Sequence, residues 1–375
     1  MKKKKIIVAP NSYKDSIDAF RISNFIEKEF NSILGQHHEV LSIPIGDGGD
    51  GTASVLARKL HAIKKYYPTT NAIGRRIKAP IYLSNNTAII EMASVSGIQL
   101  IEKEDLNPYI ANTEGLGKLI AKLPHEHINK LILCVGGSAT VDMGLGMLYM
   151  LGVKYYDRFN KQLDVYNAAD LHEIANIDFS SLEKFKDLQI DVLCDVENPL
   201  LGENGAVHIY GPQKGIKEKD FPVFDKNHQH ISSLLEKMFG KNFKDMKYAG
   251  AAGGITIALK AFFNCTLYNG LDYLIKFLDL DSEFKDCDIL VTGEGCMDKQ
   301  SSFGKAPYEI AKIANSYGSR CFAINGQTKE LPNVFEKAYS LTDYSVTVDN
   351  SMNTPETFIR MAARDLATHI QFEDL

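Results

Sequence analysis

Five strand-like runs in this chain each empty into a loop of glycine, acid and small polar residues. The loops are 10-PNSYKDS-16, 46-GDGGDGT-52, 136-GGSATVDMGLG-146, 195-DVENPLLGENGA-206 and 293-GEGCMDKQSSFGK-305. This recurrence constrains the fold strongly, because open α/β sheets carry their ligands on loops beyond the carboxyl ends of the strands. Glycine lets backbone amides approach an anion, and a helix that starts just after adds its N-terminal dipole.

Between the loops the periodicity supports the same class. Residues 5–9 form a short run rich in β-branched residues, and Pro10 ends it. A helix from near Ser16 keeps Ile22, Phe25, Ile26, Phe30, Ile33 and Leu34 on one face, and Gly35 stops it. A strand over 39–45 and a helix over about 52–63 continue the alternation, which predicts a parallel, doubly wound sheet. The rhythm then changes. Residues 64–70, 77–84 and 87–92 read as consecutive strands, the last two joined at Asn85-Asn86 by a hairpin turn. Further strands are expected at 130–135 and 188–194, with helices at 222–239 and 249–279. Alternation returns with strands at 288–292, 320–325 and 337–341 and helices at about 305–317 and 355–371.

The ends of the chain thus resemble each other and differ from the middle. The expected fold is α/β with two α/β domains. One is a doubly wound, Rossmann-like parallel sheet built from both termini (1–75 and 282–375). The other is an inserted mixed-sheet domain (76–281), and the active site is expected in the cleft between them. A length of 375 residues accommodates both.

Composition excludes several classes. The formal charge of −5 gives no reason to expect nucleic acid or an anionic membrane surface, so positive charge for an anionic ligand must be concentrated locally. Six cysteines are scattered singly in a chain that is not small, which predicts reduced thiols and a cytoplasmic setting. The apolar part of MKKKKIIVAP is too short for a secretion signal, and no stretch reaches membrane-spanning length. The histidines, including His228 and His230, form no HExxH and are expected to be solvated.

Standard phosphate spacings fail. Gly304-Lys305 is followed by Ala306 and preceded at the required position by Lys299, so GxxxxGK[ST] is absent. GxGxxG fails at 293–298 and at 144–149. Individual residues are more informative. Asp195 ends a buried-looking strand, where a carboxylate can bind Mg²⁺, accept a hydroxyl proton or cap a turn. Asp47 and Asp50 flank glycines and read first as turn residues. Glu294 stands between two glycines, where a bare carboxylate repels phosphate unless a metal intervenes; Asp298 can also act as a cap. Lys14 lies between the first strand and its helix. Lys305 sits at a helix start, where a cation opposes the dipole unless an anion is near. Lys214 and Arg75 are further candidates, with solvated surface side chains as the plain alternative.

Eight blocks in register resemble the class I glycerate kinases: 8-VAPNSYKDSI-17, 43-IPIGDGGDGT-52, 90-IEMASVSGIQL-100, 136-GGSATVDMGLGMLYMLG-152, 194-CDVENPLLGENGA-206, 211-GPQKG-215, 249-AGAAGG-254 and 291-VTGEGCMDKQSSFGKAP-307. The resemblance implies ATP- and Mg²⁺-dependent transfer of a phosphoryl group to a hydroxyl of D-glycerate, giving 2-phosphoglycerate. Carried onto this sequence, it makes Asp195 the base or a Mg²⁺ ligand, with Lys14 beside it in catalysis. Ser12, Lys14, Arg75 and Asp47 would meet the glycerate. Gly136, Gly137, Ser138, Gly293, Gly295 and Lys305 would hold phosphates, and Glu294 and Asp298 would join Asp195 near the metal. The implied partner is a small-molecule substrate, with neither nucleic acid nor membrane, and a homodimer is left open.

The chain departs from the family pattern at several positions. Val141 and Met143 replace Asn and Gly, Asn11 replaces Asp, Asp50 replaces Glu, Cys296 replaces Arg, and 111–114 read Ala-Asn-Thr-Glu in place of a threonine-rich run ending in Tyr. These departures bear on substrate identity more than on fold. They keep open a kinase for another hydroxy acid, a non-catalytic small-anion-binding protein on the same scaffold and a Mg²⁺ hydrolase. Retention of Asp195, Lys14 and Lys305 favours catalysis.

Overall fold

The structure is a computed structural model, and it describes residues 3–373 except 15, 165–167, 303 and 346. Among the described residues, two main sheets are built from β1 (Lys4–Pro10), β2 (His38–Ser42), β3 (Ile63–Thr70), β4 (Arg76–Ser84), β5 (Thr87–Glu91), β6 (Lys130–Cys134), β7 (Gln189–Cys194), β8 (Asn264–Asn269), β9 (Ile289–Gly293), β10 (Arg320–Asn325) and β11 (Lys337–Ser340). The chain divides into two compact units, Met1–Asp47 with Leu271–Leu375, and Gly48–Gly270.

The first unit contains the sheet β11-β10-β9-β1-β2, parallel throughout. Ile6, Ile7, Val8 and Ala9 of β1 are all fully buried, as a strand covered on both faces requires. Each of the larger side chains contributes about 1.5–3 kcal/mol by leaving water. Ile6 and Val8 join one apolar cluster with Ile22, Ile26 and Phe30 of the helix Ala19–Leu34 and with Ile359, Leu366 and Ile370 of the helix Pro355–Glu373. The first of these helices starts at Ala19 rather than near Ser16, because the Asp18 carboxylate accepts the Arg21 amide and caps it. Its buried Glu29 is satisfied by Arg360 at 2.8 Å and Arg364 at 2.7 Å.

The second unit contains the mixed sheet β8-β7-β6-β5-β4-β3. β5 through β8 run parallel, while β3–β4 and β4–β5 are antiparallel. The expected hairpin is present. Ser84 pairs with Thr87 across Asn85, whose φ of 50° is the left-handed conformation such a two-residue turn needs.

Three sequence expectations are corrected here. The division falls at Asp47/Gly48 and Gly270/Leu271, not near 75 and 281, because β3 pairs along its whole length with β4 and the helix Thr52–Lys59 packs on β4 and β5. Residues 249–279 are not one helical region. The helix Ile255–Phe262 ends before Phe263, which is extended, and Asn264–Asn269 forms β8 alongside β7. His228 is fully buried on the helix Phe221–Phe239 rather than solvated, with Nε2 2.7 Å from the Val141 carbonyl oxygen.

Candidate active site

The site residues fall into two clusters, one in each unit. In the first unit, β1 and β9 are adjacent and parallel, with Pro10 opposite Gly293, so the loops that follow them emerge together. Asn11 donates its amide to Asp47 (3.2 Å) after β2, and its backbone N–H to the Gly293 carbonyl (2.9 Å). Ser12 Oγ accepts from the Ala19 amide at 3.3 Å at the start of the helix. Lys14 is exposed, and its backbone lies against Gly295. Gly293 is fixed by packing as much as by any ligand, since a Cβ there would overlap the Ile324 carbonyl.

Lys305 occupies the cap position of the helix Ala306–Ser316 and turns its ammonium back into the loop. Its Nζ lies 2.9 Å from Glu294 Oε2, 3.3 Å from the Cys296 carbonyl and 3.9 Å from Asp298 Oδ1. The electrostatic conflict of a cation at a helix start is thus met by the protein's own carboxylates. Burial raises the Glu294 carboxyl above the usual range, while Ser301 and Lys305 oppose that shift. Ser301 Oγ–H donates to Oε1 at 2.6 Å, so both Glu294 oxygens have partners.

In the second unit, Asp195 follows β7 and Gly136 follows β6, its parallel neighbour. A Cβ on Gly136 would stand 2.6 Å from Gly49 Cα and 2.8 Å from Asp195 Oδ2. One on Gly137, whose φ is +71°, would overlap Asp50 Oδ1. Two carboxylates therefore bracket the Gly136-Gly137 pair, and only glycine fits between them. Asp195 is exposed; Asp50 is half-buried and accepts from Gln99 Nε2 at 2.7 Å. Behind them, Glu91 Oε1 is buried with no hydrogen-bond partner among the described residues. Burial, followed by the Asp50 charge, pushes the Glu91 carboxyl up to about 7, against three opposing amides at the start of the helix Thr52–Lys59.

Ser138 leads to a buried cation, Lys214. Lys214 is 3% exposed and donates to Ser138 Oγ at 2.9 Å and to the Thr140 carbonyl at 2.8 Å. Burial pulls its ammonium down to about 8, while Asp195 and Asp142 hold it up. Asp142 anchors the loop from within. Its fully buried carboxylate accepts from Thr113 N–H and Oγ–H (2.8 and 2.7 Å), Gly146 N–H (3.1 Å) and Gly144 N–H (3.3 Å). Arg75 lies on a turn that packs through Ala72 against Ala139, and its guanidinium pairs with Asp105 at 2.7 Å on the surface.

The sequence reading missed Asp50 and Glu91 as site residues and left Lys214 a minor candidate. The adjacency of Asp50 to the glycines was a usable signal, whereas nothing local distinguishes a strand-end glutamate or a lysine in a turn. The departures from the family pattern divide in kind. Val141 joins Val207, Ile216 and Phe224 in an apolar cluster, and Met143 lies in the main core at φ +53°. Both therefore serve packing. Cys296 is half-buried beside a cavity of the first unit.

The metal expected from the resemblance can be tested against these donors. Mg²⁺ commonly takes one or two carboxylates and completes its shell with phosphates and water. Among the described residues no group of three or more His, Cys, Asp or Glu is poised to hold a metal, and Asp195 supplies an exposed hard oxygen of the required kind. A one-carboxylate site of this sort fits; in the first unit Glu294 has Ser301 on one oxygen and Lys305 on the other.

Comparison with known proteins points to one family. The sequence profile of the glycerate kinase family matches residues 6–371. The chain is 34% identical over 371 residues to glycerate 2-kinase of Escherichia coli K12, covering 97% of each. It is 33% identical over 375 residues to glycerate kinase of Bacillus subtilis 168, covering 98% of each. A crystal structure assigned to glycerate kinase 2 of Salmonella typhimurium LT2 superposes with a TM-score of 0.83 at 30% identity, covering the whole of both chains. No described helix is long and apolar enough to cross a membrane. This chain belongs to the glycerate kinase family.

Proposed function

We propose that the protein transfers the γ-phosphoryl group of ATP, with Mg²⁺, to a hydroxyl of D-glycerate and yields 2-phosphoglycerate. The observation that carries this reading is the pair of acids around Gly136-Gly137, with Asp195 exposed at the end of β7. Phosphoryl transfer asks a protein mainly for positioning and charge neutralisation. On this reading Asp195 accepts the proton of the attacking hydroxyl. The new P–O bond forms to that oxygen as the bond to the β–γ bridging oxygen breaks, and ADP leaves. Lys14 neutralises charge at the reacting group, and Ser12, Arg75 and Asp47 orient the glycerate. The amides of Gly136, Gly137, Gly293 and Gly295, with Ser138 and Lys305, line up against phosphate oxygens. Mg²⁺, held by Asp195 and approached by Glu294 and Asp298, would supply neutralisation of the phosphate oxygens when bound. Both clusters serve one reaction on this reading, so a lesion in either should impair it.

The deciding assay is ADP release from ATP and Mg²⁺ with D- and L-glycerate, tartronate, lactate and glycolate. Phosphorus NMR of the product identifies the hydroxyl. Turnover with D-glycerate and a 2-phosphate product support the reading. Absence of ADP release with every acceptor, from folded protein, would refute it.

A further inference from the structure

The first unit contains a cavity whose apolar lining none of the roles above uses, although Lys14 and Gly295 border it. Numbered within that unit, its strands run 2-1-3-4-5, so the chain reverses its direction of travel across the sheet between β1 and β9. Ligands of such sheets bind outside the carboxyl ends at that switch point. A cavity of about 240 Å³ lies there, lined by segments that follow β1, β9, β10 and β11 and by the helix Val348–Asn353. Tyr13, Leu341, Val348 and Met352 give it an apolar surface, and Gly295 and Gly326 contribute backbone. Ser16 Oγ–H donates to the Met352 carbonyl at 2.7 Å and ties the loop after β1 to that helix.

The volume is below the roughly 300–1,000 Å³ of pockets that enclose a whole drug-sized ligand, which suits one ring system of a larger molecule. An apolar lining suits a flat heterocycle and not glycerate, whose three carbons carry a carboxylate and two hydroxyls. Positive charge adjoins the cavity. Lys14 lines it, and so does Cys296, whose carbonyl lies 3.3 Å from Lys305 Nζ. A ring placed inside would send an anionic tail past two ammonium groups.

We infer that this cavity receives the adenine ring of the phosphoryl donor, with the phosphate chain leaving toward Lys14 and Lys305. The choice of ATP as occupant rests on the kinase reading, while the experiment locates the base independently of turnover. Wild-type protein is photolabelled with 8-azido-ATP, with and without excess ATP, and the adducts are mapped by peptide mass spectrometry. Adducts on peptides containing Tyr13 or residues 341–352, suppressed by ATP, are expected; adducts confined to Gly48–Gly270 would overturn the assignment.

In parallel, Met352→Trp fills the rim from a side chain that is 38% exposed, so folding should survive. It should weaken adenosine and ATP binding at least tenfold in calorimetry while leaving inorganic tripolyphosphate binding within about twofold. Unchanged ATP affinity in this variant would also overturn the assignment. ADP release by wild type together with adducts outside the cavity would sink the cavity and leave the kinase reading standing. Protected adducts in the cavity without ADP release for any acceptor would do the reverse.

Discussion

The two loop clusters follow one sequence recipe, acid beside glycine after a strand, and place their cations differently. In the terminal unit Glu294 and Asp298 share the ammonium of Lys305, and Glu294 has a partner on each oxygen. In the inserted unit Asp50 and Asp195 bracket a glycine pair, Glu91 adds a third acid, and the nearby cation, Lys214, is buried behind Ser138. In the first cluster the ammonium touches the acids directly. In the second the acids gather around the glycine pair with Lys214 behind Ser138, and an arrangement of that kind favours groups that bind a cation or take a proton. A motif read as a string cannot distinguish the two, because the difference lies in which distant lysine the fold delivers.

The sharpest way to break this contrast is Asp195→Asn. If Asp195 is the base, kcat should fall by about 10²–10⁴ with the circular dichroism unchanged; normal turnover would move the chemistry elsewhere. Gly136→Ala should come next. The added methyl meets Gly49 and Asp195 at under 3 Å, so stability should drop by about 1–3 kcal/mol in urea titrations. A neutral outcome would mean the two acids are less tightly bracketed than the geometry indicates.

Glu91 gives a pH test of the second cluster. Its carboxyl sits at about 7 in the fold against 4.5 for the free side chain. Between those values the native state holds a proton that the unfolded chain has released, so stability falls as pH rises from about 4.5 to 7 and levels off above. Glu91→Gln should remove that slope, gaining on wild type by about 3 kcal/mol between pH 4.5 and 8 in paired denaturation curves. Parallel curves would mean that neither burial nor the Asp50 charge holds a proton on Glu91 in the fold. The smallest effect is expected in the first cluster. Lys305→Ala should weaken ATP binding about tenfold, and pairing it with Glu294→Gln should restore part of the loss by removing the orphaned acid. Equal ATP affinity in wild type and single variant would leave Lys305 a purely internal counter-ion.

Much of the fold was legible in the residues. The β-branched runs ending in proline or glycine became strands, and the likeness of the two termini became one shared sheet. β8 was not legible, because its apolar residues adjoin helices on both sides and its extended state is fixed by pairing with β7. The unit boundary was misplaced for a similar reason: the helix Thr52–Lys59 follows a β-α-β rhythm in sequence but packs on β4 and β5. Within the site, loops were legible and partners were not. Gly136, Ser138, Asp195 and Lys305 stand in motifs, and so do Glu91, Asp142 and Lys214. The roles of Glu91, Asp142 and Lys214 come from burial, which no short window of sequence contains.

The central position of β1 has a consequence for synthesis. Its neighbours are β2, about thirty residues away, and β9, which begins at residue 289. A nascent chain emerging N-terminus first therefore holds an apolar strand with one edge unmatched until most of the polypeptide has been made. Residues 48–270 carry a complete sheet of their own and can consolidate during that wait, since domains commonly fold as units in order of appearance. The long-range closure of β1 on β9 is then the late, slow event, and the exposed edge before it is the stage at which a ribosome-bound chaperone has most to protect.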